Sequence, residues 1–210
     1  MPIYGAQASL FNLLLPDRIF VTSFQQTMKT SMPRFMALAA AAVLAVILSA
    51  GTVVDATVAT TCKEAAISDV RVNLKLCLSE LGKQRGTADA DTWGLAKVAS
   101  LTGVNSAALA ADDVKTLEAG SPSIPMKPAL AKCAMLYRDA GVAFAEANDK
   151  INGRAYAAGK KKLDEALSLA QQCNAAFVTH GVVLPQPLAQ HTVDTIQMAI
   201  IAGAITNLLK

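Results

Sequence analysis

The residues of this chain best suited to covalent chemistry are its four cysteines. The midpoint of Cys62 and Cys77 falls between Asp69 and Val70, within a Ser-Asp-Val break, and Cys133 and Cys173 are symmetric about Gly153. Four cysteines allow three pairings. If each break is the turn of a helical hairpin, each pair lies at equal height on two antiparallel helices, within disulfide reach. The symmetry therefore favours Cys62–Cys77 and Cys133–Cys173, and disulfides indicate an oxidising compartment.

Other side chains that could catalyse a reaction or bind a metal form no recognisable constellation. His180 and His191 have no second ligand at metal spacing on the same helix face. We interpret His180 as a helix-end residue and His191 as part of an ordinary helix surface. The carboxylate pairs within 89–91 and 112–113 are close in sequence rather than placed across a cleft. We therefore predict that the protein is not an enzyme and uses no metal or cofactor.

Two further features could bind a partner. The run Lys160–Lys162 fans out over about 200° of a helix, which is typical of a solvated face, and docking of an acidic partner is the alternative. Trp93, the only tryptophan, is expected to cover a bundle end or to be an exposed anchor. The chain has 19 basic and 16 acidic residues, a net charge of +3. That balance does not indicate nucleic acid or an anionic membrane as a partner.

The N-terminal region predicts secretion. Residues 35–50 form an apolar run preceded by Lys29 and Arg34, and the run is shorter than the roughly 20 residues of a spanning helix. This pattern is typical of a signal peptide, which we assign to residues 28–56; a signal anchor is the alternative. Residues 1–27 are an N-terminal extension of uncertain role. We expect the mature protein to be secreted and to have no stable association with a membrane.

The elements that must position these residues are helices. The rest of the chain has the size of one domain, and it contains no run of alternating apolar residues that would indicate a sheet. Residues 61–81 predict two short helices joined near Asp69. Long helices are then expected at 88–119, with Thr87 as the N-cap, and at 126–151.

A third long helix is expected to start after Gly153 and to end at His180. The fourth is expected to begin at Pro187 and to bury one face, consisting of Leu188, Val193, Ile196, Ile200, Ala204, Ile205 and Leu208. Short loops between long amphipathic helices favour antiparallel neighbours. The predicted fold is therefore all-α: an up-down-up-down four-helix bundle with a short N-terminal helical hairpin and two disulfides.

Several segments of the chain carry a family resemblance. Beside the cysteine frame, they are TADADTWGLAKVA at 87–99, ALAKCAMLYRDA at 129–140, AYAAGKKKLDEAL at 155–167 and IAGAITNLLK at 201–210. In this order they resemble the plant invertase and pectin methylesterase inhibitor family, most closely its branch of invertase inhibitors, over residues 60–210. The resemblance implies the same bundle and the same two disulfides.

The resemblance also implies a function. It indicates a secreted protein of the plant cell wall or vacuole that docks on the active-site cleft of an acid invertase or a pectin methylesterase. Invertase inhibitors of the family carry Pro-Lys-Phe near the start of the third bundle helix, where this chain has Arg154, Ala155 and Tyr156. A cation and an aromatic residue are retained and the proline is not, and Tyr156 also suits the core. We expect these three residues to contact the target. The alternative function is a module that binds an apolar small molecule in a cavity between helices.

Overall fold

A computed structural model of the chain describes residues 56–210, and these residues form helices without a strand. The helices are α1 (Ala56–Ser68), α2 (Leu74–Gly82), α3 (Thr92–Ala119), α4 (Met126–Asn152), α5 (Tyr156–Thr179) and α6 (Leu188–Asn207). The prediction of an all-α fold is confirmed. The extension predicted at 1–27 and the signal peptide predicted at 28–56, apart from its last residue, lie outside the described residues.

The four long helices form the predicted bundle. In sequence order α3, α4, α5 and α6 run antiparallel to their neighbours, and α6 returns to pack against α3. The hairpin of α1 and α2 packs mainly on α6. In the part of the chain that the structure describes, no helix is long and apolar enough to cross a membrane.

Both predicted disulfides are present in the structure. The Cα atoms of Cys62 and Cys77 are 5.9 Å apart and join α1 to α2. Those of Cys133 and Cys173 are 4.8 Å apart and join α4 to α5. Each bond therefore ties two consecutive antiparallel helices at equal height, as the symmetry of the sequence predicted.

The start of α3 differs from the prediction. Asp91, not Thr87, is the N-cap, and its carboxylate accepts a hydrogen bond from the Gly94 N–H at 2.8 Å. Thr87 is buried, and its hydroxyl donates to the carbonyls of Leu81 at 3.0 Å and Gln84 at 2.9 Å. Both residue types can cap a helix. Here the threonine hydroxyl closes the loop after α2, and the aspartate adds a negative charge at the positive end of α3.

The interior is closely packed and divides into two clusters along the bundle. The larger includes Phe144, Leu163 and Ile201 together with α1 and α2, and the smaller surrounds the Cys133–Cys173 disulfide. A Cβ atom at Gly103 would lie 2.2 Å from the Phe144 ring. Since no side chain fits there, glycine at this position lets α3 close on the ring.

The prediction that Val193 lies on the buried face of α6 was wrong. Val193 is 53% exposed, whereas its neighbours Thr192 and Thr195 are buried. The two threonine hydroxyls donate to the carbonyls four residues earlier, at 2.7 Å each. Because these hydroxyls form hydrogen bonds within the helix, threonine can occupy two core positions of α6. The pattern of apolar residues had assigned a core position to Val193 instead.

Candidate binding surface

The turn between α4 and α5 holds the predicted contact residues in a fixed geometry. Arg154 has a φ of 60°, in the left-handed region. Its N–H donates to the Ile151 carbonyl at 3.0 Å, and the Ala155 N–H donates to the Lys150 carbonyl at 2.8 Å. These two bonds are those of a Schellman motif, which usually has glycine at the left-handed position. A side chain there costs about 1–2 kcal/mol, so the chain places arginine at a strained, exposed corner.

A tryptophan from α3 supports this corner. The Trp93 Nε1–H donates to the Ile151 carbonyl at 2.9 Å, the same oxygen that accepts from the Arg154 N–H. Lys97 Nζ lies 3.9 Å from the centroid of the indole ring, and the Arg154 guanidinium carbon lies 5.6 Å from it. Lys97 also donates to Asn152 Oδ1 at 3.0 Å. We call Trp93, Lys97 and Arg154 the Trp93 patch.

The three predicted contact residues differ in accessibility. Arg154 and Ala155 are exposed, whereas Tyr156 is half-buried and packs against the larger core cluster. Lys97 was not among the predicted contacts, although it follows Trp93 by four residues and so lies on the same side of α3. A role of the turn in contacting a target enzyme stays a prediction.

The lysine run is not a uniform solvated face. Lys162 pairs with Glu146 of α4 at 2.6 Å and with Glu165 of its own helix at 2.9 Å. The hydrogen bond to Glu146, followed by the one to Glu165, raises the pKa of the Lys162 ammonium. This lysine therefore links α4 to α5. Lys161 is exposed, as predicted.

The interpretation of His191 as an ordinary surface residue was wrong. Its side chain is 27% exposed, and its Nδ1 lies 2.5 Å from Asp113 Oδ2 of α3. The two residues are 78 positions apart in sequence. The histidine therefore joins α6 to α3, while His180 follows the end of α5 as its C-cap, as predicted.

A second polar link lies next to that pair and joins α4 to α6. Tyr137 is buried, and its hydroxyl lies 2.6 Å from Thr192 Oγ1. Since Thr192 donates its own proton to the Leu188 carbonyl, the tyrosine is the donor. Burial raises the pKa of the Tyr137 phenol to about 12. The link is structural, because the phenol stays protonated and has its partner inside the protein.

The remaining carboxylates have structural partners or lie on the surface. Asp112 pairs with Lys115 one turn later on α3, and Asp91 caps that helix. Among residues 56–210, no group of three or more histidine, cysteine or acidic side chains is arranged to hold a metal ion. The Trp93 patch, by contrast, groups the predicted contact residue Arg154 with Trp93 and Lys97 at one indole ring.

Comparison with known proteins places this bundle among inhibitors. The sequence pattern of the family described as "Plant invertase/pectin methylesterase inhibitor" matches residues 56–205, well over half of the chain. The chain is 62% identical over 175 residues to "Pectinesterase inhibitor 12" of Oryza sativa subsp. japonica, covering 83% of this chain and 85% of that protein. It is 47% identical to "Pectinesterase inhibitor 8" of the same organism, covering 75% of this chain and 85% of that protein.

Solved structures agree on the fold. The crystal structure of mutant form A of a pectin methylesterase inhibitor from Arabidopsis matches with a TM-score of 0.60 at 19% identity, covering 69% of this chain and 97% of that chain. That of a pectin methylesterase inhibitor from Arabidopsis thaliana matches with a TM-score of 0.54 at 20% identity, covering 70% and 96%. Both relatives in rice are named as inhibitors of pectinesterase, so their names do not favour the invertase branch. Since these relatives are inhibitors rather than enzymes, the chain belongs to a non-catalytic family, that of the plant invertase/pectin methylesterase inhibitors.

Proposed function

We propose that this protein inhibits a pectin methylesterase by covering its active-site cleft. The observation that carries the proposal is the 62% identity to a rice protein named as a pectinesterase inhibitor, over 83% of this chain. The family model described as "Plant invertase/pectin methylesterase inhibitor" also spans residues 56–205 of this chain. The chain therefore has the means to recognise an enzyme of the same class.

The fold suits inhibition by occlusion. Two disulfides and four long helices give a rigid body, which can dock without first becoming ordered. The α3 helix has 28 residues and is about 40 Å long. On its outer face Leu101 and Leu109 are exposed, as are Met135 and Val142 on the neighbouring α4. These apolar side chains can form part of a standard interface, which buries about 800 Å² on each partner.

An acid invertase is the second candidate target, and the exposed Arg154 favours it. Glycoside hydrolases carry a pair of carboxyl groups in the active-site cleft. An arginine presents a rigid, permanently charged fork that can pair with such a carboxylate. In this proposal Arg154 and Ala155 enter the cleft while Tyr156 supports the turn from the core. The docking proposed above on a pectin methylesterase uses apolar side chains of α3 and α4 instead, and it assigns no charge pair to Arg154.

The site of action is proposed to be outside the cell, in the wall, and the vacuole is the alternative compartment. The proposal is supported by the Lys29 and Arg34 flank of the apolar run at 35–50 and by the two disulfides. Sequencing the N-terminus of secreted protein should show that residues 28–56 are removed. A secreted or membrane-bound product that keeps the run at 35–50 would favour a signal anchor.

The function is tested by titrating the disulfide-bonded secreted protein into a panel of pectin methylesterases and acid invertases. Stoichiometric, reversible inhibition of at least one pectin methylesterase is expected. Inhibition of invertases alone would favour the second candidate. If neither class is inhibited, titration with a fluorescent fatty acid tests the alternative of an apolar-ligand module.

Arg154→Ala separates the two targets. Loss of one partner from a desolvated charge pair costs about 2–5 kcal/mol, so inhibition of an invertase should weaken at least tenfold. Inhibition of a pectin methylesterase should change less than twofold. Lys132→Ala, which removes an equal charge from an exposed position of α4, is the matched control and should affect neither enzyme.

A further inference from the structure

We propose that the Trp93 patch is a binding site for carboxylates of a uronic-acid polysaccharide, the de-esterified form of pectin. This activity is separate from inhibition, since it concerns the polymer rather than the enzyme. The choice of polymer rests on the proposed function, because a pectin methylesterase converts methyl esters of such a polymer into carboxylates.

The geometry of the patch is set before any ligand arrives. The Ile151 carbonyl accepts from both the Trp93 Nε1–H and the Arg154 N–H, so the ring and the turn share one anchor. The Arg154 backbone is fixed by the bonds of the Schellman motif. Lys97 is held by Asn152 Oδ1. Two cations are thus kept at one indole ring, with little freedom to be lost on binding.

Both cations are available to an anionic ligand. Within residues 56–210, neither Lys97 nor Arg154 is in an ion pair with a carboxylate. Lys162, by contrast, is neutralised by two glutamates. The nearest acidic residue in sequence to Trp93 is Asp91, and its carboxylate accepts a hydrogen bond from the α3 backbone. The patch therefore presents two positive charges with no carboxylate paired to either.

A polymer of uronic acids fits this arrangement better than an isolated acid does. Such a polymer carries a carboxylate on each successive sugar. Carboxylates of neighbouring sugars can therefore reach the ammonium of Lys97 and the guanidinium of Arg154 together. Arginine also suits bidentate contact with a carboxylate. Two contacts on one chain reinforce each other through effective concentration, even when each alone is weak.

The chain provides its own probe for the test. Trp93 is the only tryptophan, so its fluorescence reports on the patch alone. The secreted protein is titrated at low ionic strength with polygalacturonate, and in parallel with the same polymer fully methyl-esterified. Polygalacturonate should change the Trp93 emission and co-sediment with the protein, and 0.5 M salt should reverse both because salt screens charges at the protein surface. The esterified polymer should do neither.

Three variants locate the site. Arg154→Ala and Lys97→Ala should each weaken binding at least fivefold, and the double variant should abolish the change in emission. The matched control Lys132→Ala should weaken binding less than twofold. Circular dichroism and the pectin methylesterase assay are recorded for each variant, so that a misfolded protein is recognised.

Several outcomes would overturn the inference. Equal binding of the esterified polymer, an equal loss with Lys132→Ala, or no binding of polygalacturonate would each exclude a carboxylate site at the patch. If the polymer does not bind but Arg154→Ala weakens inhibition of an enzyme, the patch is an enzyme contact instead. Polymer binding without inhibition of any pectin methylesterase would uphold the site and reject the proposed function.

Discussion

Two helical hairpins in this molecule carry one disulfide each, and they depend on it differently. The α4–α5 hairpin pairs helices of 27 and 24 residues. Its two helices also approach each other so closely at Gly159 that a side chain would not fit there. A Cβ at this position would lie 2.8 Å from Ile151 Cγ1. The α1–α2 hairpin pairs helices of 13 and 9 residues. We infer that the disulfide adds to extensive packing in the long hairpin and stands in for it in the short one.

The largest expected effect comes from the long hairpin. Its disulfide closes a loop of 40 residues, which the chain-entropy model equates with about 4 kcal/mol. Cys133→Ala with Cys173→Ala should lower the free energy of unfolding by roughly this amount, measured by denaturant unfolding. Because packing alone still holds α4 against α5, the variant should keep native helicity and a single transition. A molten, non-cooperative protein would contradict the comparison.

Removing the disulfide of the short hairpin should lower the free energy of unfolding by less than removing that of the long hairpin. It should, however, loosen its own hairpin more. Its disulfide closes 15 residues, worth about 3 kcal/mol on the same model. In Cys62→Ala with Cys77→Ala, hydrogen exchange should accelerate selectively in residues 56–82, with α4 and α5 still protected. Uniform acceleration over all helices would mean that the hairpin is as integral to the fold as the bundle.

A third prediction concerns how the stability of the four-helix bundle depends on pH through Tyr137. The folded-state pKa of Tyr137 is raised to about 12, above the roughly 10 of an unfolded chain. Folding favours the protonated phenol, so the phenol adds to the free energy of unfolding below pH 10. This contribution is lost as the pH rises towards 12. The full loss is roughly 3 kcal/mol, of which about half has occurred by pH 11. Unfolding of wild type and Tyr137→Phe at pH 9, 10 and 11 measures it. Parallel pH dependence in the two proteins would exclude the phenol as the cause.

The smallest effect concerns the contact between the short hairpin and the bundle. The Gln197 side chain accepts from the Asn73 N–H at 3.1 Å and donates to the Arg71 carbonyl at 3.4 Å. Both hydrogen bonds are exposed to solvent, so Gln197→Ala should lower the free energy of unfolding by only about 0.5–1 kcal/mol. Gln190→Ala is the control, since that side chain bonds only to Asp194 on the same helix. Faster exchange of the Asn73 amide in the first variant alone would locate the effect at the hairpin.

Much of the fold could be predicted because its signals are local. The Asn152-Gly153 break and the prolines at 125 and 187 mark helix ends, and α4 begins at Met126 as predicted. Cysteine symmetry sufficed for both disulfides, since equal height on two antiparallel helices follows from equal distance to the turn. The N-cap of α3 was missed because Thr87 and Asp91 both suit a cap, and a loop closed by the threonine hydroxyl decided between them.

The polar contacts between helices could not be predicted in the same way. His191 meets Asp113 only because α6 crosses α3 at that height. Likewise, the Trp93 ring reaches the α4–α5 turn from a position 58 residues away from Ile151. Residue types alone gave no pairing for either contact. A family resemblance led to the prediction that Arg154 is a contact residue, whereas its support by Trp93 could be seen only from the arrangement of the helix ends.

The left-handed conformation of Arg154 has a consequence for anyone who improves this protein. Glycine would relieve about 1–2 kcal/mol of backbone strain there, so a search for stabilising substitutions would select Arg154→Gly. The same substitution would erase one of the two cations of the Trp93 patch. At this position, stability and the binding role proposed for Arg154 therefore favour different residues. Arg154 should therefore be held constant when the scaffold is made more heat-resistant.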